Sequence, residues 1–355
     1  MMYDKYIQLL KGLINTPSLS REEENAARVI RDFLSSVNIP FETKQHNTWA
    51  LNRYFEEGKP VILLNSHIDT VKPAKGWAVD PFKANDEGNK LTGLGSNDAG
   101  GPLVALLAAF VHFYGQKHLP FNLVYAATAE EEISGKNGLA SVLNDMPVAD
   151  FAIIGEPTKM QVAIAEKGLM VFDCTAKGQS GHAARNEGVN ALYTAIDDIQ
   201  KLRNFKFEKV SELLGPVKIT VTQIEAGSQH NVIPASCNFV VDVRTNEFYT
   251  NQQVLETIDK LIESEVRPRS LRLNSSGVDP GHPFVRRAKS MGINCYGSPT
   301  TSDQAVISFP SVKLGPGDSA RSHTANEYIL KTEIFEGIRK YIELLAGLEI
   351  VGSRK

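Results

Sequence analysis

The stretch VILLNSHID, residues Val61–Asp69, joins a short apolar run to two polar side chains suited to a metal site. The run Val61–Leu64 has the length and composition of a buried strand. His67 and Asp69 share one face of an extended chain, because side chains alternate along a strand. A carboxylate two residues from an imidazole can hold the ring nitrogen that does not bind metal. A lone His-x-Asp is more often a surface turn, so a metal site here requires partners elsewhere in the chain.

Acidic side chains follow two further apolar runs in the same way. The triplet Glu130–Glu132 comes shortly after the run Leu123–Ala127. Glu156 follows the run Phe151–Ile154, and helical stretches lie between these runs. This alternation predicts an α/β fold with a mixed sheet covered by helices, in which functional residues gather where strands end. An acidic triplet alone is usually a solvated charge run, but carboxylates that converge on a cleft need a cation, and one of them can accept a proton.

A glycine-rich stretch, GLGSNDAGG at Gly93–Gly101, precedes an apolar helix. Gly93 and Gly95 match the start of a dinucleotide fingerprint, but Asp98 stands where its third glycine is expected and would repel a pyrophosphate. A carboxylate on a constrained turn is better suited to a cation, so Asp98 is a candidate metal ligand. His323 lies in a loop before the last helix, a position where a single histidine is more often structural.

The middle of the chain has a different pattern, and a separate inserted domain is predicted there. The predicted order of elements is βαββαβ, which is typical of a ferredoxin-like α+β unit. Its strands are predicted at Leu169–Ala176, Val217–Gln223, Phe239–Arg244 and Ser270–Leu273, and its helices near Ala191–Leu202 and Val254–Ile262. We therefore expect a catalytic domain formed by residues 1–166 and 277–355, interrupted by an inserted domain at 167–276. Near the N-terminus, Ser20 and Glu23 form a predicted capping box at the start of a helix.

The composition favours a small-molecule partner. The chain has 355 residues, of which 42% are hydrophobic and 22% charged, as in an ordinary globular protein. A net charge of −3 gives no field for nucleic acid or anionic lipid, so neither is an expected partner. The apolar segment Leu103–Phe113 is shorter than the ~20 residues of a membrane helix. Three scattered cysteines and no export signal favour a reducing cytoplasm and argue against disulfides or a thiolate zinc site.

Together these motifs resemble the two-zinc amidohydrolase family that includes acetylornithine deacetylase, succinyl-diaminopimelate desuccinylase, aminoacylase and glutamate carboxypeptidase. The resemblance implies a zinc-peptidase-like mixed sheet with an inserted dimerisation domain. It also implies that His67 and Glu156 bind one Zn²⁺, that Glu132 and His323 bind the other, and that Asp98 bridges both. A cis peptide bond after Asp98 belongs to the same pattern, and Co²⁺ is expected to substitute for Zn²⁺.

The resemblance assigns catalytic and substrate roles as well. Asp69 would orient His67, and Glu131 would act as general base and acid. His182 would reach an active site, usually that of a partner subunit, to stabilise the oxyanion, which implies a homodimer. Asn231 and Arg244 would hold the substrate carboxylate. Without the resemblance, His182 reads as a surface loop residue and Arg244 as a solvated strand residue.

The expected activity is hydrolysis of the amide bond of an N-acyl amino acid. The stretches Trp77–Phe82 and Gly93–Asp98 are most similar to the deacetylases of acetylornithine or acetylcitrulline, so deacetylation of acetylornithine or a close variant, such as succinylornithine, is expected in arginine biosynthesis. Ala99-Gly100-Gly101 departs from the Met-Lys-Gly of many relatives, and the hydroxyls of Thr300, Thr301 and Ser302 are candidates to line the pocket. Alternatives are succinyl-diaminopimelate desuccinylase, a dipeptidase or carboxypeptidase, and a non-catalytic metal-binding protein, for which Glu131 would have no use.

Overall fold

The computed structural model describes residues 3–185, 187–350 and 352, and the chain divides into two compact units. The first unit contains the chain up to Ile164, then Val278–Tyr296, and then the chain from Ser302 onward. The second unit contains Ala165–Gly277 and Gly297–Thr301. Among the described residues, no helix is both long enough and apolar enough to cross a bilayer.

The helices and strands are numbered in chain order. The helices are α1 Asp4–Ile14, α2 Glu24–Ser36, α3 Gly101–Tyr114, α4 Leu139–Val142, α5 Ala191–Asn204, α6 Asn251–Leu261, α7 Pro283–Ser290 and α8 Lys331–Leu345. The first nine strands are β1 Glu42–Lys44, β2 Asn47–Leu51, β3 Val61–His67, β4 Asn85–Glu87, β5 Lys90–Thr92, β6 Asn122–Thr128, β7 Phe151–Ile154, β8 Val162–Glu166 and β9 Gly168–Lys177. The remaining strands are β10 Gly181–His182, β11 Lys218–Ala226, β12 Val232–Ile233, β13 Ser236–Thr245, β14 Glu265–Pro268, β15 Ser276–Gly277, β16 Cys295–Ser298, β17 Ser311–Lys313 and β18 Tyr328–Leu330.

The first unit is built on a mixed sheet in the order β1-β2-β6-β3-β7-β17-β8. Strands β6, β3, β7 and β17 run parallel, whereas β2 pairs with β6 and β17 pairs with β8 in the antiparallel sense. Every residue of β3, β6 and β7 is buried, which explains why these strands read as continuous apolar runs rather than alternating ones. The predicted mixed α/β architecture is confirmed.

Helix α3 packs against β3 and β6, and helix α8 packs against α3. Helix α3 is apolar on all sides, and its residues from Gly101 to Phe110 are all buried. Helix α8 packs against α3 and is amphipathic, burying Ile334, Ile338, Tyr341 and Leu345 at helical spacing. Because α3 begins at the glycine-rich turn, its burial fixes the turn that carries Asp98.

The second unit has a four-stranded antiparallel sheet in the order β11-β13-β9-β14, with α5 and α6 packed on it. Burial alternates along β9 and β13, so one face, including Phe172, Phe239 and Val241, forms the core. The last strand is Glu265–Pro268, so the predicted strand Ser270–Leu273 is wrong. The physical reason is a change of register. The N–H of Arg269 still donates to Val171, but the N–H of Leu169 donates to Leu273 instead of Leu271, the residue opposite it in the register of β14, so the regular ladder is interrupted.

Candidate metal centre

The candidate metal centre lies at one edge of the first unit's sheet. His67 is the last residue of β3, and it stands opposite Thr128, the last residue of β6. Strand β7 runs parallel to β3 and ends two residues before Glu156. Because the carboxyl ends of parallel strands meet at the same edge, side chains that are far apart in sequence converge there.

The imidazole of His67 faces three carboxylates. Its Nε2 lies 3.3 Å from Asp98 Oδ1, 3.7 Å from Glu156 Oε1 and 4.0 Å from Glu131 Oε2. Potential ligand atoms of His67, Asp98 and Glu132 lie within 4.8 Å of one another, as do those of His67, Glu131 and Glu156. The structure therefore brings these five side chains together.

Asp98 lies between the two histidines. Its Oδ1 faces His67, whereas its Oδ2 lies 3.6 Å from His323 Nε2. His323 Nε2 is also 2.9 Å from Glu132 Oε2. The arrangement thus has two sides, one containing His67 and Glu156 and the other His323 and Glu132, with one Asp98 oxygen directed to each. Imidazole nitrogens and carboxylate oxygens are donors that suit Zn²⁺ and related divalent ions.

Asp69 holds the turn that carries the acidic triplet. Its Oδ1 accepts the main-chain N–H of Glu131 at 3.0 Å, and its Oδ2 accepts that of Glu132 at 3.1 Å and the hydroxyl of Ser20 at 2.7 Å. His67 Nδ1 lies 3.0 Å from the main-chain carbonyl oxygen of Asp69 and 3.4 Å from its Oδ1. The carboxylate of Asp69 therefore bonds mainly to the triplet, and its carbonyl oxygen orients the imidazole.

The predicted capping box of Ser20 and Glu23 is wrong. Helix α2 begins at Glu24 and has no side-chain hydrogen bond at its N-terminus. Glu23 is fully buried; its Oε1 accepts the main-chain N–H groups of Arg21 and Glu130, and its Oε2 lies 2.6 Å from His46 Nδ1. Both side chains thus form hydrogen bonds with residues around the metal centre, so neither is available to cap helix α2.

The turn Ser96–Gly100 presents Asp98 with an unusual backbone. The Asp98–Ala99 peptide bond is cis, as the family resemblance implies, and Gly95 has the left-handed φ of 72° that glycine tolerates best. A Cβ on Gly101 would lie 2.2 Å from Ile329 Cδ1, so no side chain fits at that position without a shift. Glu327 Oε1 accepts the N–H groups of Asn97 at 2.8 Å and Asp98 at 3.0 Å.

The site concentrates negative charge in a buried place. Burial, followed by repulsion from Asp98, raises the pKa of Glu156 to about 8. Burial also raises the pKa of Glu131 well above its usual range, with repulsion from Glu156 adding to it. A hydrogen bond to Glu132 raises the pKa of His323 to about 9. Carboxylates in such a cluster take up protons unless a cation compensates their charge, and the donor set fits divalent metal ions.

Two buried acids near the centre were not predicted from the sequence. Asp303 Oδ2 accepts hydrogen bonds from Asn65 Nδ2 at 3.0 Å and Thr128 Oγ1 at 3.2 Å, and burial raises its pKa to about 6. Burial, followed by repulsion from Asp98, raises the pKa of Glu327 to about 8. Each lies in a loop that sequence motifs had singled out, but no pattern distinguished it there from a solvated acid.

The predicted substrate residues belong to the second unit. His182 is exposed and pairs with Val232, and the N–H of Ala183 donates to the carbonyl oxygen of Asn231 at 3.0 Å, so His182 and Asn231 lie on facing segments. Arg244 Nε and Nη2 donate to the two carboxylate oxygens of Asp242 at 2.8 Å and 3.1 Å.

The loop hydroxyls proposed to line the pocket have internal partners. Thr301 Oγ1 donates to the carbonyl oxygen of Lys167, and Ser302 Oγ accepts the N–H of Gln304. Thr300 Oγ1 lies 3.1 Å from Ser298 Oγ.

Comparison with known proteins finds one matching family model and several relatives of low identity. Residues 164–270 match the peptidase dimerisation domain of the M20 family. The acetylornithine deacetylase of Buchnera aphidicola is 27% identical over 91% of this chain and 93% of its own length. The succinyl-diaminopimelate desuccinylase of Wolbachia pipientis is 27% identical over 76% of this chain and 72% of its own length. The YXEP protein of Bacillus subtilis, a dinuclear metal-binding peptidase of the M20 family, superposes with a TM-score of 0.76 at 18% identity, covering 98% of this chain and 99% of its own.

Proposed function

We propose that this chain, which resembles the two-zinc amidohydrolases in its motifs, hydrolyses the amide bond of a small N-acyl amino acid at a two-metal site. The observation that carries the proposal is the position of Asp98, whose two carboxylate oxygens face different histidines, His67 and His323. Glu156 lies on the first side and Glu132 on the second. We assign one Zn²⁺ to each side, with Asp98 as the shared ligand, and Co²⁺ as a possible substitute.

The metal pair would supply Lewis-acid polarisation of the amide carbonyl and acidify an attacking water. The charges fit two divalent ions, because the three ligand carboxylates Asp98, Glu132 and Glu156 supply three negative charges against four positive ones, which leaves a small net positive charge at the site. Two neutral imidazoles complete the donor set. This balance favours binding of an oxygen-rich, polarisable substrate group at the site.

Glu131 is the proposed general base and acid. Its side chain is 13% exposed and its Oε2 lies 4.0 Å from His67 Nε2, so it borders the ligand set. The hydrogen bond from its main-chain N–H to Asp69 fixes its place beside Glu132. There it would accept a proton from the attacking water and deliver it to the nitrogen of the leaving amine. A non-catalytic metal binder would have no use for such a carboxylate.

The second unit is proposed to bind substrate and to form a homodimer. The match of residues 164–270 to a dimerisation domain supports the dimer. Within it, His182 of a partner subunit would donate to the developing oxyanion. Asn231 and Arg244 would hold the substrate carboxylate. Asp242 occupies Nε and one N–H of Nη2 of Arg244, so three of the five guanidinium N–H donors remain for a ligand.

The substrate is proposed to be acetylornithine or a close variant such as acetylcitrulline or succinylornithine, as in arginine biosynthesis. The name of the Buchnera relative, which aligns with nearly the whole chain, supports this choice. The Wolbachia relative favours succinyl-diaminopimelate as a second candidate, and the Bacillus structure favours a peptide. A reducing cytoplasm is the proposed location, on the sequence argument from three scattered cysteines.

The test combines metal analysis with a substrate panel. Purified protein is analysed for bound metal and assayed for amine release from acetylated, succinylated and formylated amino acids and from dipeptides, with Zn²⁺ and with Co²⁺. We expect two metal ions per chain and the highest kcat/KM for an acetylated basic amino acid. Activity in fully metal-free protein would refute the mechanism, and a preference for dipeptides or succinylated substrates would select one of the alternatives.

A further inference from the structure

Glu327 is a buried acid close to the metal centre that has no role in the proposed chemistry. It is 2% exposed and follows His323 by four residues. Its ligand atoms are absent from the groups of clustered donors found among the described residues. A carboxylate buried near other carboxylates is destabilising unless hydrogen bonds compensate it. The hydrogen bonds of Glu327 therefore indicate what this side chain does.

Those contacts are with the backbone of the turn that carries Asp98. Glu327 Oε1 accepts the N–H of Asn97 at 2.8 Å and the N–H of Asp98 itself at 3.0 Å. Asp98 has a non-helical backbone, with φ of −120° and ψ of 98°, so its N–H group is not part of a regular helical ladder. One carboxylate oxygen thus accepts the N–H groups of two consecutive residues of the turn.

Glu327 is itself firmly placed by its own backbone. Its carbonyl oxygen accepts the N–H of Gly93, and the next residue, Tyr328, begins the pairing of β18 with β5. The same segment carries His323 before it and enters helix α8 after it. Glu327 therefore connects the loop of His323 to the turn that carries Asp98.

The triplet turn is held in the same manner. The side chain of Asp69 accepts the main-chain N–H groups of Glu131 and Glu132, and that of Glu23 accepts the N–H of Glu130. The turn of Asp98 and the acidic triplet are thus both anchored through their backbones by other, buried acids, whereas the N–H of Glu156 donates to the carbonyl oxygen of Leu314. Such anchoring controls ligand positions without adding a donor to the metal.

We propose that Glu327 is a positioning residue that fixes the bridging ligand Asp98 by accepting the main-chain N–H groups of Asn97 and Asp98. The inference rests on the proposed two-metal function, because it concerns the shared ligand of that site. Displacement of the Asp98 backbone would change the distances of its Oδ1 and Oδ2 from the two histidines together, and both metal sites would be affected at once.

Three substitutions separate this role from others. Glu327→Gln keeps an acceptor oxygen at the same reach and removes the charge, whereas Glu327→Asp keeps the charge and shortens the side chain by one methylene group. Glu327→Leu removes both. Asp198→Asn is the matched control, because the buried Asp198 also accepts two consecutive main-chain N–H groups, those of Glu263 and Ser264, within the second unit.

The readouts are Zn²⁺ affinity by chelator competition, kcat and KM, and the visible absorption spectrum of the Co²⁺-loaded protein, which reports ligand geometry. We expect Glu327→Asp and Glu327→Leu to lower Zn²⁺ affinity or kcat by roughly 10- to 100-fold and to change the Co²⁺ spectrum. Glu327→Gln and Asp198→Asn should resemble the wild type in Zn²⁺ affinity and in the Co²⁺ spectrum. If Glu327→Leu does not fold, the comparison of Gln with Asp decides.

Two results would overturn the inference while leaving the proposed function intact. One is the finding that the wild type binds two metals while the Glu327→Asp variant has unchanged Zn²⁺ affinity, kcat and Co²⁺ spectrum. The other is a Glu327→Gln variant as damaged as Glu327→Asp, because an acceptor oxygen at the original reach would then not be enough to hold Asp98. A wild-type protein that binds no metal would instead refute the two-metal function itself, and the role of Glu327 with it.

Discussion

Replacing Asp69 by Asn tests how the structure holds the catalytic turn. Asn keeps one acceptor oxygen, and placing it at Oδ2 preserves the bonds from Ser20 and Glu132 while the new NH₂ group faces the N–H of Glu131. One hydrogen bond to a charged acceptor is lost, at about 1.5–3 kcal/mol. Since 1.36 kcal/mol corresponds to a factor of ten, we expect kcat to fall about 10- to 100-fold if this loss displaces Glu131 in the transition state.

The metal content of the same variant distinguishes two roles for Asp69. His67 Nδ1 has its closest contact with the carbonyl oxygen of Asp69, which the substitution retains, so bound metal should stay at the wild-type level. The measurements are kcat, KM, metal per chain and melting temperature. Asp86→Asn is the control for the same chemical change, because Asp86 pairs with Lys11 and Lys331 instead of the metal centre. Loss of metal in Asp69→Asn with turnover per bound metal unchanged would refute the reasoning and assign the carboxylate to His67.

Two further predictions concern the charges of the site. Glu131→Gln should lower kcat by about 10²- to 10⁴-fold and retain both metals, as expected for a lost general base; loss of metal would identify Glu131 as a ligand instead. The metal-free protein should lose stability as pH rises from about 4.5 to about 8, because folding raises the pKa of Glu156 to about 8, so the folded chain binds more protons than the unfolded chain in that range. The pKa of His323 is raised to about 9, so His323 contributes to the loss of stability in the same direction. The measurement is the melting temperature from pH 5 to pH 9, with and without Zn²⁺. A metal-free melting temperature that does not fall over this range would contradict the prediction.

The general architecture could be predicted because its signals are local. Buried parallel strands read as short apolar runs, and β7 coincides with the run Phe151–Ile154. The mixed sheet follows from the alternation of such runs with helical stretches. The sequence predicts an inserted domain at 167–276, and the structure has a compact unit that includes Ala165–Gly277. The error at Ser270–Leu273 arose because the apolar side chains Leu271 and Leu273 pack inward without a regular strand.

The candidate ligands could be named from position and family resemblance, but the residues that support them could not. Ser20 and Glu23 match a capping pattern at the level of sequence, and only the folded chain brings Asp69 and Glu130 close enough to compete for them. Glu327 and Asp303 look like ordinary loop acids, since their burial depends on contacts with residues far away in the chain. A hydrogen bond from a main-chain N–H leaves no trace in the identity of the donor residue, so such partners are invisible to motif analysis.

The place of β17 has a consequence for protein synthesis. Strand β17, Ser311–Lys313, lies between β7 and β8 in the sheet, although both of these strands precede the second unit in the chain. While the ribosome has made only the first 166 residues, the open edges of β7 and β8 have no neighbour to fill the gap between them. The nascent first unit must wait for more than 140 further residues before its sheet can close. During that interval an exposed apolar edge is a target for chaperones, and a stop codon before residue 311 would leave it permanently open.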